Sequence, residues 1–185
     1  MTTVYSVSSG NGVTGRASLY LGEYASLYIG LTTETLKTWL PFVVNLPKNE
    51  RITTATLKIY ANESLSGATC KCLFGCEAAD SPAAPTNWAT LNARVMTTAY
   101  TTDNNVSSET AGALYSWDIT TAVQEILNRA GWVANNTLAI LMHDNGSSSM
   151  AYRGLANANS AYTDPVLEVV YGGAVGVAIT PYMMF

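Results

Sequence analysis

Along much of this chain apolar and polar residues alternate with the two-residue period of a β-strand. The clearest case is 51–60, where Ala55, Leu57 and Ile59 fall on one face and Thr54, Thr56, Lys58 and Tyr60 on the other. Leu36, Leu40, Phe42, Val44 and Leu46 share one side of 36–46, and Pro41, which has no N–H for a ladder, demotes its part of that strand to an edge or a bulge. Further strands are expected at 3–7, 68–77 (with the cysteines), 94–100, 113–119, 150–155 and 165–171. Two similar segments, 17–22 and 25–30, read as a hairpin or two consecutive short strands, because no third copy follows. Loops are expected at 8–15, 80–92, 101–112 and 156–164, where Gly, Pro, Asn, Asp and Ser gather.

One stretch breaks the alternation. From 115 to 153 the period changes from two to that of a helix and back. Ile119, Ala122, Val123, Ile126 and Leu127 follow helical spacing. Thr121 with Gln124 three residues on forms a capping-box pattern at the start, and Arg129 and Gly131 mark the stop. The predicted helix covers about 120–130. Residues 137–142 are then continuously apolar, which predicts a strand buried on both faces, and 143–149 form a polar turn around Asn145-Gly146. Many short strands with one solitary helix describe an all-β sandwich of jelly-roll type, the helix capping or flanking one end.

Composition sharpens this. With 185 residues, 48% hydrophobic and only 12% charged, the chain can build one domain with a real core, but carries fewer charges than a free soluble surface normally does. The net charge of −4, with no basic run, argues against nucleic acid or an anionic membrane as partner. No secretory leader is visible, and no apolar run approaches membrane-spanning length. The 3 cysteines are an odd number, all between 70 and 76, so a disulfide framework is not expected and folding in a reducing compartment fits better.

The order of segments also carries a resemblance. WLPFVVNLP at 39–47, ITTATLKIY at 52–60, DITTAVQEILNRAGW at 118–132, NTLAILM at 136–142, a lone Arg153 and PVLEVVY at 165–171 follow one another. In this the chain resembles the DNRLRE-type, carbohydrate-binding-module-like β-sandwich of bacterial surface proteins and tailed-phage virion proteins, the 118–132 segment being the specific part. The resemblance covers roughly 3–171 and departs at 70–76 and after 171. It implies a sandwich used as a binding or assembly module rather than a defined reaction.

Candidate chemistry is sparse. Cys70, Cys72 and Cys76 share one face of a strand and with His143 would make a three-Cys, one-His zinc set, but paired C-x-x-C knuckles are missing and buried cysteine is an ordinary core residue. His143, Asp144 and Ser147, Ser148 or Ser149 name the parts of a triad, but neighbours in one turn do not converge as a triad must. Glu109, Asp118, Glu125, Asp144 and Glu168 are scattered rather than paired for glycoside hydrolysis. Asp144 and Asn145 offer oxygens for calcium without a D-x-D-x-D cluster. No enzyme activity, cofactor or metal is therefore expected. Of the tryptophans, Trp88 in the 80–92 loop is expected to be the exposed one, a possible sugar-stacking platform, while Trp117 and Trp132 pack.

The remaining feature is the end of the sequence. The chain divides into a sandwich at 1–171 and an apolar arm at 172–185, with Gly172-Gly173 as a hinge. Val175, Val177 and Ile179 alternate, and Tyr182, Met183, Met184 and Phe185 follow, with no charge in the arm. An uncharged alternating segment left free is an aggregation hazard, so these seven residues are expected to contact a neighbouring subunit, by strand addition or by filling a pocket. The expected role is a virion structural protein of a tailed phage, made in the host cytoplasm: a capsid decoration or cement protein touching further copies, the major capsid protein or another virion protein. The alternative is a carbohydrate-binding module of tail or head-fibre type that recognises host-surface glycans.

Overall fold

The computed structural model describes residues 3–10, 12–20, 26–63 and 69–172. Its main strands form two antiparallel sheets. β1 (Thr3–Ser8), β12 (Val166–Tyr171), β6 (Ile52–Tyr60) and β9 (Leu114–Asp118) lie side by side in that order as a four-stranded sheet. β3 (Leu19–Tyr20), β2 (Val13–Arg16), β5 (Lys37–Val44), β10 (Asn136–Asp144), β7 (Cys72–Glu77) and β8 (Met96–Asp103) make a six-stranded sheet. β4 (Ser26–Gly30) and β11 (Tyr152–Ala156) pair separately as a ribbon. Leaving out β2 to β4 and β11, the remaining eight strands stand as β1-β12-β6-β9 and β5-β10-β7-β8. The chain changes sheet at each step except β7 to β8, and this is jelly-roll order. The all-β sandwich is thus the observed architecture.

The core follows the alternation. Ala55, Leu57 and Ile59 of β6 and Leu167 and Val169 of β12 face Leu40, Phe42 and Val44 of β5 and Leu138, Ile140 and Met142 of β10 across the sandwich. Ala139 and Leu141 of β10 point the other way and are also buried. They meet Val13 and Trp39 under a short helix, α1 (Trp88–Asn92), which contributes Leu91. The continuous apolar run of β10 therefore serves two cores, as a strand covered on both faces requires.

Pro41 proves to lie in an interior strand, because β5 is flanked by β2 and β10. It is tolerated because β2 reaches only Lys37 to Trp39. The Pro41 carbonyl points to that uncovered side and accepts the Gly10 N–H at 3.0 Å, so the missing N–H also faces away from β10.

Two helices are present among the described residues where one was expected. α1 falls inside the expected 80–92 loop, held by a capping box in which Asn87 accepts the Thr90 N–H and Thr90 accepts the Asn87 N–H. The second, α2 (Thr120–Leu127), starts and stops differently from the sequence expectation. Thr121 lies within it, Ile119 is the N-cap without a side-chain cap bond, and Asp118 accepts the Thr120 N–H instead. Gln124 serves β6, whose first residues β9 does not reach: its amide accepts the Ile52 N–H at 3.0 Å and donates to the Glu50 carbonyl at 2.9 Å. The helix ends at Leu127 with Asn128 as C-cap, before Gly131. A Cβ at Gly131 would lie 2.4 Å from the Asp80 carboxylate that pairs with Arg129, so a larger residue there would have to displace that side chain. The expected 68–77 strand begins only at Cys72, and the described residues of segments 17–22 and 25–30 form two consecutive short strands rather than a hairpin, since β3 joins β2 and β4 joins β11.

Candidate assembly surface

The sheet separates the cysteine and histidine set. Asp144 stands opposite Cys72 and His143 opposite Leu73, so His143 and Cys72 project from opposite faces. Cys72 and Cys76 are four residues apart on one strand, on the order of 13 Å, against a zinc–sulfur bond of about 2.3 Å. The shared face suggested by the sequence therefore brings no shared ion. All three thiols are buried in the main core, and burial pushes each of them up from its ordinary value. Among the described residues no group of three or more His, Cys, Asp or Glu is placed to hold a metal.

The 143–149 turn is equally committed. Asp144 accepts the N–H groups of Gly146 (3.2 Å) and Ser147 (3.1 Å). The Ser147 hydroxyl donates to the Lys71 carbonyl at 3.0 Å and accepts the Lys71 N–H at 2.8 Å. His143 lies on the outer face of the six-stranded sheet, its Nε2 buried without a partner. Burial, and then the Lys37 charge, hold its pKa down at about 4. These three residues make no nucleophile–base contact. The acids Glu109, Asp118 and Glu168 are likewise spread over separate elements, and Glu168 pairs with Lys58.

Trp39, Trp117 and Trp132 are buried, and each indole N–H has an acceptor: Glu77, Asp103 and the Leu46 carbonyl. Trp117 stacks between Phe74 and Tyr115, with ring centres 4.3 Å and 5.2 Å away. Trp88 keeps part of its surface open, but it is the first residue of α1 rather than a loop residue and packs on the outer core. The depression on α2 lined by Thr121, Gln124, Glu125, Asn128 and Arg129 is open, and most of its polar groups are already engaged by β6, β8 and Asp80.

What stands out is the treatment of the sheet edges. β8 is an edge of the six-stranded sheet, and α2 lies against it. The Glu125 carboxylate accepts the N–H of Thr98 at 3.0 Å, the N–H of Ala99 at 2.9 Å and the Thr98 hydroxyl at 2.8 Å. Burial pushes the Glu125 pKa up, but these hydrogen bonds outweigh it and leave the carboxyl below its ordinary value. β1 is an edge of the four-stranded sheet. Ser9 donates to the Pro165 carbonyl at 2.8 Å, which turns Tyr5 and Val7 toward β12 and leaves the N–H and C=O of Val4, Ser6 and Ser8 pointing outward. No described strand pairs with that side. Tyr5 and Val7 are only half-buried against the core, and the Tyr5 hydroxyl reaches the Val43 carbonyl and the Asn45 N–H across the rim.

β12 ends beside the start of β1, with Tyr171 opposite Thr3. Gly172 follows at φ 72, a left-handed conformation that favours glycine, and its N–H donates to the Arg51 carbonyl. Val175, Val177, Ile179, Tyr182, Met183, Met184 and Phe185 lie outside the described residues. No sequence rule singled out the β1 edge; its only sequence signal is a strand at 3–7 free of charge and proline.

A scan against models of known protein families finds no match, and a search of curated proteins finds no similar one. Among the described residues no helix is long and apolar enough to cross a membrane.

Proposed function

We propose that this chain is a non-enzymatic virion structural protein of a tailed phage, a capsid decoration or cement protein whose segment after Gly172 contacts neighbouring subunits. The observation that carries this reading is a sandwich whose last strand closes at Tyr171, followed by fourteen residues without a charge. A domain with its core already filled has no internal need for such a segment, and water does not favour it. The low charge fraction of 12% and three free, buried cysteines support the same reading. Its partners are further copies, the major capsid protein or another virion protein, and its place is the phage particle. Deleting residues 173–185 tests it. The truncated chain is expected to fold and to be lost from the native particle, as read by particle mass and composition. Normal incorporation overturns the proposal.

Glycan binding is the second reading, favoured by Trp88, the one tryptophan of 4 that keeps part of its surface open. It expects signal on a glycan array that Trp88→Ala removes; silence across diverse glycans counts against it.

A further inference from the structure

We infer that the outer edge of β1 is the docking site for residues 174–180 of a second copy of this chain, added as a strand to the four-stranded sheet. The inference rests on the assembly role proposed above and assigns its receptor. β1 presents three outward residues, Val4, Ser6 and Ser8, whose N–H and C=O groups no described strand takes up. The strand holds no Lys, Asp, Glu or Pro, the residues with which proteins ordinarily protect an edge. An extended segment pairs with such an edge through its own main chain, while alternate side chains choose the face. The seven residues 174–180 are long enough to cover the six of β1, and Val175, Val177 and Ile179 fall on one face. That face would lie beside Tyr5 and Val7, whose half-buried side chains mark an incompletely covered rim.

The occupant comes from another copy because of where the segment starts. Tyr171 stands opposite Thr3, at the beginning of β1. To lie on its own β1, the segment would have to turn across the start of that strand and then run parallel to β1 over a short connection. A neighbour's segment approaches antiparallel without crossing anything. Thirteen residues, extended, reach about 43 Å, of which the docked strand takes about half. Of the rest, only Gly173 lies between Gly172 and the docked strand, so the two sandwiches must abut at this edge, and residues 181–185 run on beyond it.

The test uses the full chain. It is expected to self-associate by sedimentation, and its Val4, Ser6 and Ser8 amides are expected to exchange about tenfold or more slowly than in a chain lacking 173–185. That truncated chain is expected to be monomeric. A Ser6→Cys chain mixed with an Ala178→Cys chain, the two positions sharing the outer face of the docked pair, is expected to give a disulfide-linked pair; the native cysteines are buried and do not compete. A full chain that stays monomeric overturns the inference. So does an oligomer that survives truncation, including one in which Ser6→Cys chains cross-link to each other through paired β1 edges. A cross-link that forms only within one chain carrying both cysteines overturns it as well. An oligomer that needs 173–185 while β1 amides exchange at the truncated rate overturns this docking site and leaves the assembly role standing. Normal particle incorporation of the truncated chain removes the assembly role itself.

Discussion

Edge strands β1 and β8 have much the same kind of sequence, TVYSVS against MTTAYTTD: Thr, Ser, a Tyr and small or apolar residues, with a single charge at the end of the second. Both would template a foreign strand. The fold closes one of them. β9 runs into α2, which lays Glu125 across the Thr98 and Ala99 amides, and the Thr101 hydroxyl donates to the Asp118 carbonyl where strand becomes helix. Among the described residues β1 receives no helix and no carboxylate, and the uncharged segment that follows Gly172 starts beside it. An edge can serve as an interface or be a protected rim according to what the connection brings to it, and here one edge is protected while the other is left open by the described strands.

The comparison can be broken with acid, once the largest pH effect is separated from it. That effect belongs to His143. Its folded pKa, about 4, lies below the ordinary 6.5, so the unfolded chain takes the proton first. Stability from the neutral imidazole is complete above about pH 6.5 and is lost as pH falls toward 4, a loss of about 3 kcal/mol. Urea unfolding at pH 7, 5 and 4 measures it. His143→Leu is expected to remove most of the slope, and an unchanged slope would assign the acid sensitivity elsewhere.

In that background the protected edge can be opened deliberately. Glu125→Ala leaves the Thr98 and Ala99 amides without their acceptor. Thr98 is exposed, so water replaces part of what is lost and the cost is about 1 kcal/mol rather than the full penalty of a buried donor. The larger consequence is association: concentration-dependent light scattering is expected to appear even in a chain lacking 173–185. Acid should imitate the substitution. A depressed carboxylate contributes stability that is fully present above its ordinary 4.5 and drains away as pH falls through the lower folded value. If Glu125→Ala neither destabilises nor associates, the carboxylate does not protect β8.

How far these features can be read from sequence differs by kind. The alternation of β6 and the continuous run of β10 mark buried strands because burial on one or two faces leaves a direct trace in residue type. Gln124 misleads because its local pattern suits a helix start, while its amide is drawn to β6 backbone that no neighbouring strand covers. α1 is only five residues long, and its signal, Asn87 with Thr90 three positions on, is submerged in a Pro-rich stretch. Cys70, Cys72 and Cys76 look like ligands by spacing and are core by register. The difference between β1 and β8 leaves almost no trace, because it depends on which strand ends beside a helix, and that is a property of topology. Of the candidate surface, only the uncharged end of the chain was legible in advance.

The smallest effect is expected at Ser6→Pro, and its smallness is informative. Proline removes one backbone N–H, and at Ser6 that N–H points away from β12, so no ladder bond of the isolated sandwich is lost. In a chain lacking 173–185 the substitution should change stability by no more than about 0.5 kcal/mol in urea unfolding. In the full chain the same substitution should abolish self-association, because the lost donor lies at the centre of the docked strand and the ring obstructs its approach. A cost of 2 kcal/mol or more in the truncated chain would mean that the Ser6 amide already has a partner within its own subunit, and β1 would then be a closed edge like β8.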